Sequence, residues 1–361
     1  MNKNLLVTGG AGFIGSNFIR YVQTYAPRVH ITNLDLLTYA GHLANLKNLP
    51  NPGKHEFIQG DIRDQELVES LLREKEIDTI VHFAAESHVD RSISGPAAFI
   101  QTNILGTFSL LDAARKVWLQ ENQQNAGQVR FHHISTDEVY GALGPDDPAF
   151  KETTPYAPNS PYAASKASSD HLVRSYAHSF GLPVTISNCS NNYGPYQFPE
   201  KLIPLMITNA LNGKPLPIYG DGQQIRDWLY VEEHCEAIWR ILKDGQVGES
   251  YHIGGGNQPA NIEIVRTICA LLDDADVPSP VKPYAKLIEY VQDRPGHDWR
   301  YAMNIQKIQA ELGWSPKYDL ESGLRKTIEW YLKNSDWLKA IQKRQDYKNW
   351  IDDNYQKRGK A

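Results

Sequence analysis

Cysteine is scarce in this chain. Three occur among 361 residues, Cys189, Cys235 and Cys269, far apart and never as a CxxC pair. So few, and an odd number, cannot build a disulfide framework and predict a reduced, cytoplasmic setting. Long apolar runs are also missing. None approaches the ~18 residues of a membrane-spanning helix, and the mean hydropathy is -0.48. There is no excess of positive charge: 37 basic against 42 acidic residues leave a net charge of -5. That balance offers no footprint for nucleic acid. No HExxH or similar ligand spacing occurs, and the adjacent His132 and His133, on one strand, would face opposite sides. No metal is expected. Met1-Asn2-Lys3-Asn4 leads directly into Leu5-Leu6-Val7, so no targeting segment is expected either.

What is present is the material of a globular protein. Hydrophobic residues make up 41% and charged residues 22%. At roughly 150 residues per domain, the length predicts about two domains. Short apolar runs at Leu5–Val7, Val29–Leu34, Glu56–Ile58, Thr79–Phe83, Arg130–Ile134 and Val184–Ile186 alternate with helical patterns such as Ile14–Tyr25, Glu66–Lys75 and Ala97–Gln120. This βαβ alternation predicts an α/β fold, a doubly wound parallel sheet covered on both faces. Residues 1–190 form that domain in this reading. Residues 191–361 form a smaller mixed α/β substrate domain with a helical tail after Asn334. Segment 228–256, with a short strand at Ser250–Ile253, returns to the first sheet. The polar segment Leu119–Gln128 reads as a surface loop.

The first apolar run ends in Thr8-Gly9-Gly10-Ala11-Gly12-Phe13-Ile14-Gly15. Glycines at Gly9, Gly10, Gly12 and Gly15 let the backbone turn tightly and come close to a pyrophosphate. The helix that follows offers N–H groups and its positive dipole end to that anion. Asp35 stands 20 residues beyond Gly15, at the end of the second strand. A carboxylate there holds the hydroxyls of the adenosine ribose. It would also repel a 2′-phosphate, and no Arg adjoins it, so NAD is expected rather than NADP. A glycine-rich turn alone is a weak sign. Between a strand and a helix, with Asp35 at this distance, it predicts a Rossmann-type domain. Asp61, after the third strand, is either an adenine contact or a turn residue.

Two further runs carry chemistry. Ser135-Thr136-Asp137-Glu138-Val139-Tyr140-Gly141 follows a strand. Tyr162-Ala163-Ala164-Ser165-Lys166 follows Ser160-Pro161, a good N-cap and a proline suited to the first helical position. Tyr162 and Lys166 are then i and i+4 on one helix face. The ammonium favours the phenolate, and lysine can also hold the nicotinamide ribose. Most isolated YxxxK pairs lie on surfaces; behind a dinucleotide turn the pair reads as a base for a hydroxyl proton. Adjacent carboxylates in different environments can separate into an acid and a base. The plainer alternative is that Asp137 and Glu138 cap a helix or pair with surface cations.

These runs resemble the extended short-chain dehydrogenase/reductase superfamily, and Ser135 to Gly141 is similar to the signature of its dTDP-glucose 4,6-dehydratase family. The resemblance extends over most of the chain, through Phe83 to Ser92, Asn191 to Pro204, Arg226-Asp227-Trp228 and Asp293 to Asp298. It implies a lyase acting on dTDP-glucose with NAD, by oxidation at C4, loss of water across C5–C6 and hydride return to C6. The product is a 4-keto-6-deoxy sugar nucleotide of deoxysugar biosynthesis, rhamnose being one destination. The resemblance implies that Tyr162, beside Lys166, takes the C4 hydroxyl proton. Glu138 takes the C5 proton, Asp137 protonates the leaving C6 hydroxyl and Thr136 bonds near the C4 oxygen. For the dinucleotide it adds Phe13, Ile14, Thr38, Ile62, Ala84, Ala85, Ser87, Thr102 and Asn192 to Gly9, Gly12, Gly15, Asp35, Asp61, Tyr162 and Lys166. For the sugar nucleotide it implies Ser87 and Thr136 at the glucosyl group, and Lys201, with Leu202 beside it, and Arg226 at the diphosphate. Asn191 and Asn261 fall on the phosphate or sugar side, and Pro217 and Tyr219 form a wall for the base. Arg294 and His297 close over the nucleotide.

Members of such families dimerise through a four-helix bundle, two helices from each subunit. The candidates here are Ala97–Gln120, with Ile104, Phe108 and Leu111, and Pro161–Phe180, with Leu172, Tyr176 and Phe180. Such stripes are equally what burial within one subunit produces. UDP-glucose stays open as a substrate, because one methyl contact discriminates by only about 1–3 kcal/mol. A UDP-sugar 4-epimerase needs no elimination pair, so Asp137-Glu138 argues against it. GDP-mannose dehydratases tend to a Thr-Ser-Glu setting where this chain has Thr136-Asp137-Glu138. A non-catalytic NAD-binding protein would have no need of the intact set.

Overall fold

The computed structural model describes residues 3–351 except 125–126, 276, 278–280 and 294–295. The described strands are β1 (Asn4–Thr8), β2 (His30–Asp35), β3 (His55–Gln59), β4 (Thr79–His82), β5 (Arg130–Thr136), β6 (Val184–Cys189), β7 (Asn191–Tyr193), β8 (Leu216–Tyr219), β9 (Trp228–Tyr230), β10 (Ser250–Ile253) and β11 (Ile288–Val291). The helices of the first half are α1 (Phe13–Tyr25), α2 (Gln65–Glu74), α3 (Val89–Ser94), α4 (Pro96–Phe99), α5 (Thr107–Ala114) and α6 (Pro161–Phe180). Those of the second half are α7 (Leu202–Leu211), α8 (Val231–Asp244), α9 (Asn261–Asp274), α10 (Gln306–Leu312), α11 (Leu320–Lys333), α12 (Ser335–Gln342) and α13 (Gln345–Ile351).

Seven strands form one sheet in the order β10-β6-β5-β4-β1-β2-β3. All of its pairings are parallel. The alternation along β1 sorts the two layers. Leu5 and Val7 pack with Phe18, Ile19 and Val22 of α1 and with Ile238 and Ile241 of α8. Leu6 packs on the opposite face with Val68 and Leu72 of α2, Leu110 and Leu111 of α5 and Val173 of α6. Strands so covered have no polar side, which is why they read as unbroken apolar runs. The first layer is completed from the far end of the chain. Ile308, Leu312 and Trp314 join the cluster that holds α1 and α8. The sheet thus draws in β10, α8 and residues 308–314 from the second half.

The remaining second half has its own core. Ile203 and Ile207 of α7, Ile264 and Ile268 of α9, and Leu324, Ile328 and Tyr331 of α11 pack together over two short parallel sheets, β11-β8 and β7-β9. In the tail, Leu338 adds to this core, and Ile341 and Tyr347 pack on Phe198.

Helices α4 and α5 are parts of one rod. Between them Ile100–Gly106 is a π turn, and Arg115–Glu121 forms a second one after α5. Wide turns release carbonyls from the i to i+4 ladder, and those groups need other partners. The Asn103 carbonyl accepts from Thr107 Oγ1 at 2.5 Å and from Ser169 Oγ of α6 at 2.6 Å. The wide turn also shifts the outward face. Ile100, Leu105 and Phe108 are exposed together with Phe180, while Leu111 and Tyr176 are buried inside the chain and Ile104 and Leu172 are half-buried. Of the expected loop at Leu119–Gln128, Leu119 to Glu121 end the rod, and residues 125–126 lie outside the described residues.

The dependence of the first sheet on the late segment is testable. Ile308→Ala should lower unfolding stability by about 3 kcal/mol, within the usual cost of a large-to-small core change. Urea denaturation with an unchanged m-value would show it; a loss below about 1 kcal/mol would mean that this segment does not seal the core.

Candidate active site

In an open α/β sheet the crevice lies beyond the carboxyl ends of the strands, where the strand order reverses. Here the reversal falls between β1 and β4. The ends of β1, β2, β4, β5 and β6 border one cavity of about 310 Å³.

The glycine turn forms its floor. Gly9 has φ +72, and a Cβ there would stand 2.6 Å from the Ala84 nitrogen. A Cβ on Gly15 would stand 2.4 Å from the Gly9 carbonyl oxygen. Only glycine permits this mutual approach. Gly12 caps α1 with no side chain over the first turn, which leaves N–H groups for an anion. Asp35 is buried, and its carboxylate accepts from Ala11 N at 2.9 Å and Leu37 N at 2.8 Å. It therefore ties the glycine turn to the loop after β2, in addition to bordering the cavity. Asp61 also borders it, while its carboxylate is gripped by Arg63 at 2.6 Å and accepts the Arg63 N–H. Arg63 holds Asp61 below the ordinary carboxylate range. A backbone cradle, uncapped N–H groups and Asp35 on one wall are a donor set that fits a dinucleotide.

The reactive residues meet at the ends of β5 and α6. Ser160 Oγ accepts from Ala163 N at 3.0 Å, and Pro161 opens α6. This start places Tyr162 and Lys166 on the face turned to the cavity. Lys166 Nζ donates to the Ile134 carbonyl at 2.7 Å and lies 3.3 Å from His133 Nε2. Burial brings its pKa down to about 8, and the Asp170 carboxylate opposes that fall. Burial raises the Tyr162 phenol well above its ordinary value, and Glu138 adds to this; its bond with Thr136 works the other way. Thr136 caps the turn Asp137–Tyr140, accepting from Glu138 N at 3.3 Å. Asp137 is 2% exposed, whereas Glu138 is half-buried. Asp137 Oδ1 accepts from Thr136 Oγ1 at 3.1 Å, and Oδ2 has no hydrogen-bond partner among the described residues. Burial first, and then the Glu138 charge, hold the Asp137 carboxyl well above the usual range.

One cavity thus gathers Gly9, Gly12, Phe13, Ile14, Gly15, Asp35, Thr38, Asp61, Ile62, Ala84, Ala85, Ser87, Thr102, Thr136, Asp137, Glu138, Tyr162, Lys166, Asn191, Asn192 and Lys201. Leu202, Pro217, Tyr219, Arg226, Asn261 and His297 do not border it. They belong to the second lobe. Tyr219 touches the first lobe through its hydroxyl, 3.4 Å from Asp90 Oδ2. Arg226 is buried, donates to the Ile225 and Asp298 carbonyls and lies 4.3 Å from the centre of the Tyr301 ring. Asn261 opens α9 with a buried Oδ1 that has no hydrogen-bond partner. His297 Nδ1 meets Asp293 Oδ1 at 2.6 Å. Arg294 lies outside the described residues.

The structure adds residues that no spacing rule selected. Tyr39 and Glu200 border the cavity. Arg91 joins them, donating to Glu200 Oε2 at 2.9 Å with its guanidinium 4.0 Å from the Tyr39 ring centre. Glu200 sits beside Lys201 in a run already singled out, and Tyr39 follows Thr38. Only that adjacency could have pointed to them. Cys189, Gln197 and Phe198 complete the wall.

Comparison with known proteins agrees with this geometry. The family model described as GDP-mannose 4,6 dehydratase matches residues 6–327. The dTDP-glucose 4,6-dehydratase of Neisseria meningitidis serogroup B is 56% identical over 341 residues, 94% of this chain and 96% of that protein. The crystal structure of the dTDP-glucose 4,6-dehydratase of Bacillus anthracis in complex with NAD is 47% identical, with a TM-score of 0.82 over 94% of this chain and 99% of that one. That of the Streptomyces venezuelae enzyme, with NAD and TDP bound, is 46% identical, with a TM-score of 0.84 over 94% and 99%. By sequence along nearly its whole length and by fold, the chain belongs to the dTDP-glucose 4,6-dehydratase family of the extended short-chain dehydrogenases/reductases.

Proposed function

We propose that this chain converts dTDP-glucose to dTDP-4-keto-6-deoxyglucose as an NAD-dependent hydro-lyase. The observation that carries the reading is the pair Asp137 and Glu138 at the end of β5. One is fully buried and the other half-buried, and both border the cavity that holds Tyr162. Elimination of water needs an acid and a base together, and unequal burial of neighbouring carboxyls supplies both. An epimerase that only oxidises and reduces C4 has no use for this pair.

When bound, NAD supplies the hydride acceptor for C4 oxidation and the donor for reduction at C6. Tyr162 takes the C4 hydroxyl proton, with Thr136 bonding to the same oxygen. Lys166, one turn along α6, supplies the positive charge that makes a buried phenolate attainable. The ketone acidifies the C5 hydrogen, which Glu138 removes. Asp137, held protonated by burial, gives its proton to the C6 hydroxyl as it leaves, and the C5 proton then returns from Glu138. Gly9, Gly12, Phe13, Ile14, Gly15 and Asp35 hold the adenosine and pyrophosphate part of the cofactor. Asp61 lies at the adenine, and Thr38, Ile62, Ala84, Ala85, Thr102 and Asn192 enclose the rest. Ser87, Asn191 and Lys201 receive the sugar and diphosphate at the cavity wall, with Leu202 next to Lys201 on the second lobe. Pro217, Tyr219, Arg226, Asn261, Arg294 and His297 receive the nucleotide from the second.

The exposed apolar face of Ile100, Leu105, Phe108 and Phe180 is the surface for a homodimeric four-helix bundle in this reading. Contiguous apolar patches of this kind mark association surfaces. The free cysteines Cys189, Cys235 and Cys269 accord with a cytoplasmic setting, and the 4-keto-6-deoxy product gives the enzyme a place in deoxysugar synthesis, rhamnose among its destinations.

Incubation with NAD and dTDP-glucose, UDP-glucose or GDP-mannose separately should remove the mass of one water from dTDP-glucose, with total NAD unchanged. A galactose product of unchanged mass would overturn the reading. Loss from UDP-glucose as well would keep the reaction and widen the nucleobase preference. Glu138→Gln should slow elimination by about 10²–10⁴-fold while C4 oxidation persists, so NADH should accumulate on the protein and be seen by its absorbance. Normal turnover would remove Glu138 from the role of C5 base. Phe108→Asp should move the protein from dimer to monomer mass in light scattering; an unchanged mass would place the interface elsewhere.

A further inference from the structure

Tyr162 and Lys166 do not end the functional face of α6. Asp170 follows at the next helical repeat and is fully buried. Its Oδ1 lies 3.2 Å from His133 Nε2, the ring nitrogen that Lys166 Nζ approaches to 3.3 Å. Its Oδ2 is saturated by donors: Ser135 Oγ at 2.8 Å, Tyr156 hydroxyl at 2.8 Å and Asn188 Nδ2 at 3.3 Å. Donors from three elements converge on this oxygen, which is how a carboxylate is kept ionised away from water.

The arithmetic of charge is simple here. Lys166, His133 and Asp170 are all buried. With lysine charged, imidazole neutral and aspartate charged, the cluster is neutral. Remove the aspartate charge, and a lone cation remains in a dry site, where it sheds its proton. The other titratable groups around the cluster do not replace Asp170. His82 on β4, at 5.3 Å between ring centroids from His133, and His132 on β5 are kept neutral by burial. Cys189 on β6 keeps its proton, its pKa pushed up to about 12 by burial. Tyr140 and Tyr156, on the segments after β5, also keep their protons. Arg174, further along α6, donates to the Tyr156 hydroxyl at 3.0 Å and is of the same sign as Lys166.

We propose that Asp170, whose carboxylate shares the His133 Nε2 edge with Lys166, is a positioning residue of this site: its charge keeps Lys166 charged so that Tyr162 can take the substrate proton. The proposal rests on the dehydratase reading above.

The test is the pH dependence of kcat/KM for dTDP-glucose with NAD-loaded enzyme. The alkaline limb of the wild type reports loss of the Lys166 proton. Asp170→Asn keeps the size and an acceptor oxygen but removes the charge. Its alkaline limb should move down by about one pH unit, a tenfold extra loss on the alkaline side relative to pH 6.5. Asp170→Glu should restore the limb even where kcat stays reduced. Equal loss at every pH, or an Asp170→Glu profile like that of Asp170→Asn, would mean a merely structural role. If circular dichroism shows Asp170→Asn unfolded, Asp170→Ser decides. It also removes the charge and should move the same limb in the same direction; an unmoved limb overturns the proposal. A wild-type enzyme that leaves dTDP-glucose intact would overturn the underlying reading and the proposal with it. Wild-type turnover with an unmoved Asp170→Asn limb overturns the proposal alone.

Discussion

Lys166 is buried at the wall of the cavity, and the proposed chemistry depends on how its charge is kept. The Ile134 carbonyl, the His133 ring and the Asp170 carboxylate behind it take the place of solvent around Lys166. In such surroundings a charge acts strongly on its neighbours, because little screens it. In the mechanism proposed above, Tyr162, one turn away on α6, is the group it serves. The same dryness acts the other way at Asp137. There burial, and then the Glu138 charge, outweigh the opposing pull of Arg226 and favour the protonated carboxyl. One physical condition thus yields a cation at one point of the cavity and a neutral acid at another.

The sheet makes these neighbours meet. All seven strands are parallel, so their carboxyl ends lie on one edge. Each end delivers something different: β1 a glycine turn, β2 Asp35, β4 the segment Phe83 to Ser87, β5 Thr136 to Glu138 and β6 Cys189 to Asn192. Helix α6 starts at that edge with Tyr162 in its first turn and runs back along the sheet. The π turn at Ile100–Gly106 serves the same end. Its loosened carbonyl at Asn103 takes hydroxyls from the rod and from α6, and the Asn103 side chain holds Glu86 N at 2.9 Å and Ser165 Oγ at 2.8 Å. The loop after β4 and the helix bearing Tyr162 are therefore fastened to one side chain.

Particular residues mark how far the linear pattern reaches. The strand at Ser250–Ile253 was legible, because a short β-rich run bounded by turn residues has few other uses. Residues 308–314 were not, since a short, mostly polar helix with two buried apolar residues, Ile308 and Leu312, carries no mark of which core it joins. Phe108 and Phe180 were legible as members of apolar stripes, with outward and buried placements both open, and they are exposed. Leu111 and Tyr176 look the same in sequence, yet they are buried in the chain, and the wide turn sets Leu105 rather than Ile104 outward. Helical wheels assume 3.6 residues per turn, and a π turn breaks that assumption. Asp170 was passed over although it shares the face of Tyr162 and Lys166, because an acid four residues from a lysine is the commonest of surface pairs.

By itself the sequence determined the βα alternation, the glycine turn with Asp35, and the runs that place Thr136, Asp137, Glu138, Tyr162 and Lys166 in one family pattern. These are local matters: side-chain period, the φ freedom of glycine, capping, and spacing along one helix. Only the tertiary structure decided that Asp137 is dry while Glu138 is half-wet, that Asp35 is shared between two backbone N–H groups, and that His133 and Asp170 stand behind Lys166. Burial and charge compensation depend on what other segments bring to a residue, and those segments lie tens to hundreds of positions away along the chain.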